Sequence, residues 1–192
     1  TGRENEAAIY RMANLFGTPN VLTAGHLCYG PRISTGIVTC GSNPIVDYEN
    51  NPKCVMAWGN NLVIANSDEY KGEALSNCLD AGARLIVVDP RLTRLAARAD
   101  IWLQLRPGTD GALAFGMLNV IVNEGLYDKE FVAEYLHGWE PFLARVNEYP
   151  VERVAEITWV PAEKIRAAAR MFAEAETAGI QWGVAIEQQI NC

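Results

Sequence analysis

The sequence predicts an α/β protein with a doubly wound, mainly parallel sheet, flanking helices and a helical C-terminal half. Three observations carry this reading. The short apolar runs CVMAWG, ARLIVVDPR and IWLQL alternate with segments of helical periodicity, as parallel strands joined by crossover helices do. The runs are apolar throughout, as expected of strands covered on both faces. After Asp128 the pattern becomes amphipathic and helical.

Each element follows from local chemistry. Ala8, Ile9, Met12, Ala13 and Phe16 repeat at helical spacing, and Gly17 can stop that helix. PNVLTAG reads as a short extended run. The stretch 25–51 is rich in glycine and carries Pro31 and Pro44, which predicts irregular chain with one short helix. CVMAWG is a buried strand closed by Gly59. SDEYKGEALSNCLDAG is a helix with Ser67 as N-cap and Leu75, Cys78 and Leu79 on its apolar face. ARLIVVDPR is the clearest strand. A shorter helix is expected around Arg91 to Arg98, then a strand at IWLQL and a long helix opening near Asp110. Pro161 marks another helix start, and GIQWGVAIEQ returns to strand character.

Composition narrows the function. The 192 residues are 49% apolar and 20% charged, enough for one domain with a core that needs no staples. The net charge of −7 with no basic run argues against a nucleic-acid partner. No apolar run reaches the roughly 20 residues of a membrane span. The five cysteines, Cys28, Cys40, Cys54, Cys78 and Cys192, include no CxxC pair, so neither a disulfide framework nor a structural zinc site is expected. Cys40, Cys54 and Cys78 read as packing residues. The chain starts without an initiator Met and reads as one α/β domain, residues 1–192, excised from something longer.

Ligands of open parallel sheets bind beyond the carboxyl ends of the strands. Three strand ends carry polar chemistry: Trp58-Gly59-Asn60-Asn61, Asp89-Pro90-Arg91 with Thr93, and Arg106-Pro107-Gly108-Thr109-Asp110. Gly59 lets backbone approach a phosphate, and Asn60 and Asn61 can donate to it. Asp89 can accept ribose hydroxyls, and Arg91 and Thr93 suit phosphate or base edges. Asp110 opens a helix and can accept the adjacent N–H groups of a guanine. Each residue also has a plain reading as a turn former or helix cap. A GxGxxG fingerprint is absent, so an ordinary NAD site is unsupported. Upstream, GHLCYGPR places Cys28 in glycine-rich chain beside His26, Tyr29 and Arg32. The sulfur there is a metal ligand, a nucleophile or a small buried residue.

The words DPR-x-T, the later AD, and RPGTD-x-AL opening a helix resemble the molybdopterin oxidoreductases of the dimethyl-sulfoxide-reductase family. WGNN is similar to that family's G-x-N strand end, and LFGTPNV with the following cysteine stretch resembles its approach to the metal. The resemblance runs from about Thr1 to Gln188. It implies a bis-(molybdopterin guanine dinucleotide) cofactor with molybdenum or tungsten. Gly59, Asn60 and Asn61 would then contact guanosine or pyrophosphate, Asp89, Arg91 and Thr93 would hold ribose and phosphate, and Gly108 and Asp110 would face guanine. Cys28 falls where many members place the metal ligand, and a thiolate is a soft donor suited to such a centre. His26 and Arg32 would be its catalytic companions: His26 as a group that tunes the thiolate or carries a proton, or else one that only hydrogen-bonds in the loop, and Arg32 as an anchor for an anionic substrate or the cofactor, or else a surface arginine.

Two family features are missing from these 192 residues: the closely spaced cysteines of an N-terminal iron–sulfur segment, and the domains around the second pterin arm. The resemblance therefore implies an inactive piece in isolation. Its partners would be a small-molecule substrate, the remaining domains of the same chain and an electron-transfer subunit. The compartment is open. Cysteine ligation leans towards the formate dehydrogenase, nitrate reductase and polysulfide or thiosulfate reductase branch, and HLCYGPR is also similar to acetylene-hydratase-like members. The alternative is a non-enzymatic nucleotide-binding or scaffold module, in which Cys28 is incidental.

Overall fold

A computed structural model describes residues 3–22, 28, 30–65 and 70–189. They group into two compact units, residues 1–44 and 45–192. The first holds helices α1 (Arg3–Phe16) and α2 (Gly30–Cys40). Gly17 ends α1 as its composition suggests: it adopts φ 81°, and its N–H donates to the Ala13 carbonyl at 2.9 Å. Of the expected apolar stripe only Ala13 is buried, while Ile9, Met12 and Phe16 are exposed. The described part of PNVLTAG, Pro19–Leu22, forms no strand.

The second unit is built on strands β1 (Cys54–Trp58), β2 (Arg84–Val88), β3 (Ile101–Leu103) and β4 (Ala178–Trp182), all parallel, in the order β3-β2-β1-β4. Helices α3 (Leu62–Ala65) and α4 (Lys71–Asp80) follow β1. Helix α5 (Asp110–Asn123) follows β3. Helices α6 (Lys129–Tyr135), α7 (Trp139–Asn147), α8 (Val151–Thr158) and α9 (Ala162–Ala173) lead to β4, and α10 (Val184–Glu187) follows it.

Alternation along the strands sorts the core into two layers. Cys54, Met56 and Trp58 of β1 and Ile86 and Val88 of β2 pack with Leu113 and Met117 of α5, Val154 of α8 and Ile165 of α9. Val55, Ala57, Leu85 and Val87 point the other way, to Leu75 and Cys78 of α4 and to Leu95 and Ala96. Covering both faces is why β1 is apolar at every position and β2 at every position after Arg84. Burial pushes the Cys54 thiol up to about 11 and raises that of Cys78, so both are neutral packing groups. Cys40 is exposed and is no packing residue.

Two elements differ from the sequence expectation. The segment 91–98 is not a helix beyond one 3-10 turn at Ala96–Arg98. Asp89 Oδ1 accepts the Arg91 amide at 2.8 Å, and Thr93 Oγ1 accepts the Ala96 amide at 3.0 Å. Side chains thus satisfy backbone donors that a helix would need for its ladder. GIQWGVAIEQ is strand only to Trp182; beyond Gly183 the chain turns into α10. Ser67, the expected cap of α4, lies outside the described residues.

The AD dipeptide acquires a structural role. Asp100 Oδ2 accepts the Leu85 amide at 2.7 Å and Oδ1 accepts Arg84 Nε at 2.7 Å, which anchors the start of β2. Asp100→Ala leaves that amide without its acceptor. Urea unfolding of the variant is expected to show a loss of about 1–3 kcal/mol, and an unchanged midpoint would reject the anchor.

Candidate functional site

Strand order locates the site. The chain moves outward from β1 to β2 to β3, then returns to lay β4 on the other side of β1. The order therefore reverses between β1 and β4, the switch point at which open parallel sheets place a ligand crevice. Both strands end in Trp-Gly, at Trp58-Gly59 and Trp182-Gly183.

Backbone lies close to backbone there. Gly59 adopts φ 56° and donates to the Val88 carbonyl at 2.8 Å, while Gly183 donates to the Trp58 carbonyl at 2.8 Å. A Cβ on Gly183 would stand 2.1 Å from the Gly59 oxygen. Asn60 Nδ2 donates to the Trp182 carbonyl at 3.2 Å, so it braces the two strand ends. Asn61 accepts the Ile64 and Ala65 amides on its main-chain oxygen and starts α3. Its side-chain Oδ1 is buried with no hydrogen-bond partner among the described residues.

Asp89 is buried and folded back on its own turn, whereas the Arg91 side chain is 77% exposed, with Nε 4.0 Å from Asp89 Oδ1. Arg91 therefore has the reach to bind an anion, and Asp89 orders the loop. Thr93 Oγ1 accepts the first amide of the 3-10 turn, which leaves its hydroxyl proton to donate. After β3, Gly108 takes φ 80° and turns the chain into α5. Thr109 is the N-cap residue, and its hydroxyl donates to the Arg106 carbonyl at 2.6 Å.

Asp110, the first residue of α5, is buried, and its Oδ1 accepts Trp58 Nε1 at 2.7 Å. Beside this pair lies a pocket of about 380 Å³, lined by Trp58, Asp110, Gly111, Ala114, Ile180, Trp182 and Ile186. Among the described residues Asp110 is its one polar lining group besides backbone and indole nitrogens. Sequence reasoning named Asp110 and Gly59 but missed Trp58, Trp182 and Gly183. The repeated Trp-Gly at two strand ends was the signal that could have found them.

Gly59, Asn60, Asn61, Asp89, Arg91, Thr93, Gly108 and Asp110 all sit along one carboxyl edge of the second unit's sheet. Cys28 belongs to the first unit. It is half-buried on a turn two residues before α2, and Arg32 lies in the first turn of that helix. His26 and Tyr29 lie outside the described residues. Among the described residues no group of three or more His, Cys, Asp or Glu side chains gathers to hold a metal ion.

Known proteins match this arrangement. The profile of the family described as Molybdopterin oxidoreductase covers residues 2–190. Acetylene hydratase of Syntrophotalea acetylenica is 45% identical over 94% of this chain and 24% of its own length. Formate dehydrogenase H of Escherichia coli is 36% identical over 98% of this chain and 27% of its own. The solved acetylene hydratase of Pelobacter acetylenicus superposes with a TM-score of 0.85 at 44% identity, over 95% of this chain and 25% of that one. The chain thus spans about a quarter of the length of these relatives. With a profile matched almost end to end and a shared fold, this chain belongs to the molybdopterin oxidoreductase family.

Proposed function

We propose that residues 1–192 serve as one cofactor-binding domain of a longer molybdenum or tungsten oxidoreductase. In this reading the domain holds a molybdopterin guanine dinucleotide arm and supplies Cys28 to the metal. Family membership implies a molybdopterin cofactor carrying one of those metals. The observation that supports the finer reading is the reversal of strand order between β1 and β4, with the buried Asp110 carboxylate and its pocket on the same edge of the sheet.

The residues present fit such a group. The Gly59–Gly183 approach leaves no room for a Cβ on Gly183 and holds the two strand ends together at the edge where the ligand is proposed to bind. Asn61 Oδ1 is a buried acceptor in need of a donor, which a ribose hydroxyl or a base N–H supplies. Arg91 extends a guanidinium from the same edge, suited to phosphate. Asp110 accepts the paired N–H groups of guanine. Cys28 stands two residues before α2, and its sulfur is a soft donor suited to such a metal.

When bound, the cofactor would supply redox chemistry at its metal. Cys28 would hold that metal through its sulfur. Arg32 draws an anionic substrate, and His26 carries a proton. A second pterin arm, an iron–sulfur cluster and an electron-transfer subunit belong to the remaining protein in this proposal.

Metal analysis with GMP release on the purified complete catalytic subunit tests the reading. Molybdenum or tungsten with about two GMP per metal is expected of a two-armed cofactor. A folded subunit with neither returns the chain to a nucleotide-binding or scaffold module. Asp110→Ala removes a charged acceptor of the kind that contributes about 1.5–3 kcal/mol. Its released GMP is expected to fall well below that of the wild type, and unchanged GMP would leave Asp110 as a helix-starting residue only.

A further inference from the structure

Helix α6 is short and unburied. It has 7 residues, and none of them is buried. So short a helix is marginal in water unless an amphipathic face packs on something. Its local support is the cap residue Asp128, whose Oδ1 accepts the Phe131 amide at 2.9 Å. The helix nevertheless carries an apolar face. Phe131, Val132, Tyr135 and the following Leu136 recur at helical spacing, while Lys129, Glu130 and Glu134 take the opposite side.

That face is turned largely to solvent: Phe131, Tyr135 and Leu136 are 52%, 65% and 43% exposed. The Phe131 and Tyr135 rings stand 5.0 Å apart between centroids, one turn from each other, so they form a ready-made ridge. Aromatic side chains at the centre of a protein interface supply large contact area at low cost in side-chain freedom. Around the ridge the charge has one sign. Residues 128–140 hold the carboxylates of Asp128, Glu130, Glu134 and Glu140, all exposed, against the single Lys129. An apolar centre with an acidic rim complements a surface of the opposite charge.

The position of the ridge bears on what covers it. Helix α5 starts with Asp110 on the carboxyl edge of the sheet and ends with Asn123, about 20 Å further on. Helix α6 follows that far end after a turn at Gly125. Domains that enclose the cofactor gather at the carboxyl edge, not here. We propose that α6 is a docking ridge for a separate protein subunit, one that receives Phe131, Tyr135 and Leu136 in an apolar groove rimmed by lysine and arginine. The choice of a separate subunit over the rest of the catalytic chain rests on the proposed function; the ridge and its charge do not.

The native enzyme, purified at low salt with its accompanying subunits, provides the test. A zero-length carbodiimide joins a carboxylate to an amine in contact with it, and the joined peptides are then sequenced. Glu130, Glu134 or Glu140 is expected to be joined to a lysine of a different polypeptide. Joining only to lysines of the catalytic chain, in the same or a second copy, overturns the proposal, as does no joining at all. The association is expected to loosen between about 0.1 M and about 1 M salt, as the screening length falls from about 10 Å to about 3 Å. The double variant Phe131→Ser, Tyr135→Ser in the complete catalytic subunit is expected to weaken retention of that polypeptide by at least about tenfold. Its melting temperature should stay that of the wild type, because neither ring is buried. Full retention of the partner, or a lowered melting temperature, would make the rings structural and overturn the proposal. Metal and GMP content, expected to be unchanged in the variant, report on the cofactor reading, so each idea can fail without the other.

Discussion

Cys28→Ala in the complete catalytic subunit is expected to abolish turnover while the fold survives. The side chain is half-buried on a turn before α2 rather than in either core layer. Its loss should therefore change unfolding free energy by no more than about 1 kcal/mol. In the proposed function turnover requires a soft sulfur donor at the metal, and alanine offers no ligating atom. The pairing of lost activity with an intact urea midpoint is the signature of ligation. Full activity in the variant would make Cys28 an ordinary thiol and would leave the chain's cofactor role to its second unit alone. Cys54→Ala is the useful contrast. That thiol is wholly buried, with burial pushing it up to about 11, so the expected loss is in stability, with turnover retained wherever the protein remains folded.

Gly183→Ala is expected to cost about 3 kcal/mol, at the upper end of overpacking penalties, and to release the cofactor. The backbone at Gly183 (φ −97°, ψ 162°) suits any residue, so conformational preference is not the cause. The new methyl would stand 2.1 Å from the Gly59 carbonyl oxygen, and backbone cannot swing aside as a side-chain tip can. Relief requires β1 and β4 to separate at their carboxyl ends, where the Gly183 N–H donates to the Trp58 carbonyl. Trp58 and Asp110 are coupled to that opening through their 2.7 Å hydrogen bond. Urea denaturation reads the first effect and GMP release the second. A variant as stable as wild type, with its GMP retained, would show that the two strand ends part without cost and that the crevice is not the binding place.

Much of the second unit was legible because its signals are local. A strand such as LIVV, covered on both faces, writes an unbroken apolar run. Gly17 and Pro161 mark helix ends through their own backbone limits. The misreadings fall where a polar side chain or a tertiary contact outweighed the pattern. Arg91 to Arg98 had helical spacing, but Asp89 and Thr93 took the amides that a helix would use. GIQWGVAIEQ looked like one strand, but the chain must leave the sheet at Gly183, where it meets Gly59. Cys40 looked apolar and internal but ends an exposed helical turn.

By itself, then, the sequence determined the fold class, the three polar strand ends and the family words DPR-x-T and RPGTD. All of these depend on residues close together in the chain. Only the tertiary structure decided that β4 returns to the far side of β1, so that Gly183 faces Gly59 and Trp182 stands beside Trp58. It alone decided that Trp58 reaches Asp110. The repeated Trp-Gly marks both strand ends, but partnerships between residues 52 and more positions apart are not written in it, because they arise from how strands order in space and not from how neighbours follow in sequence.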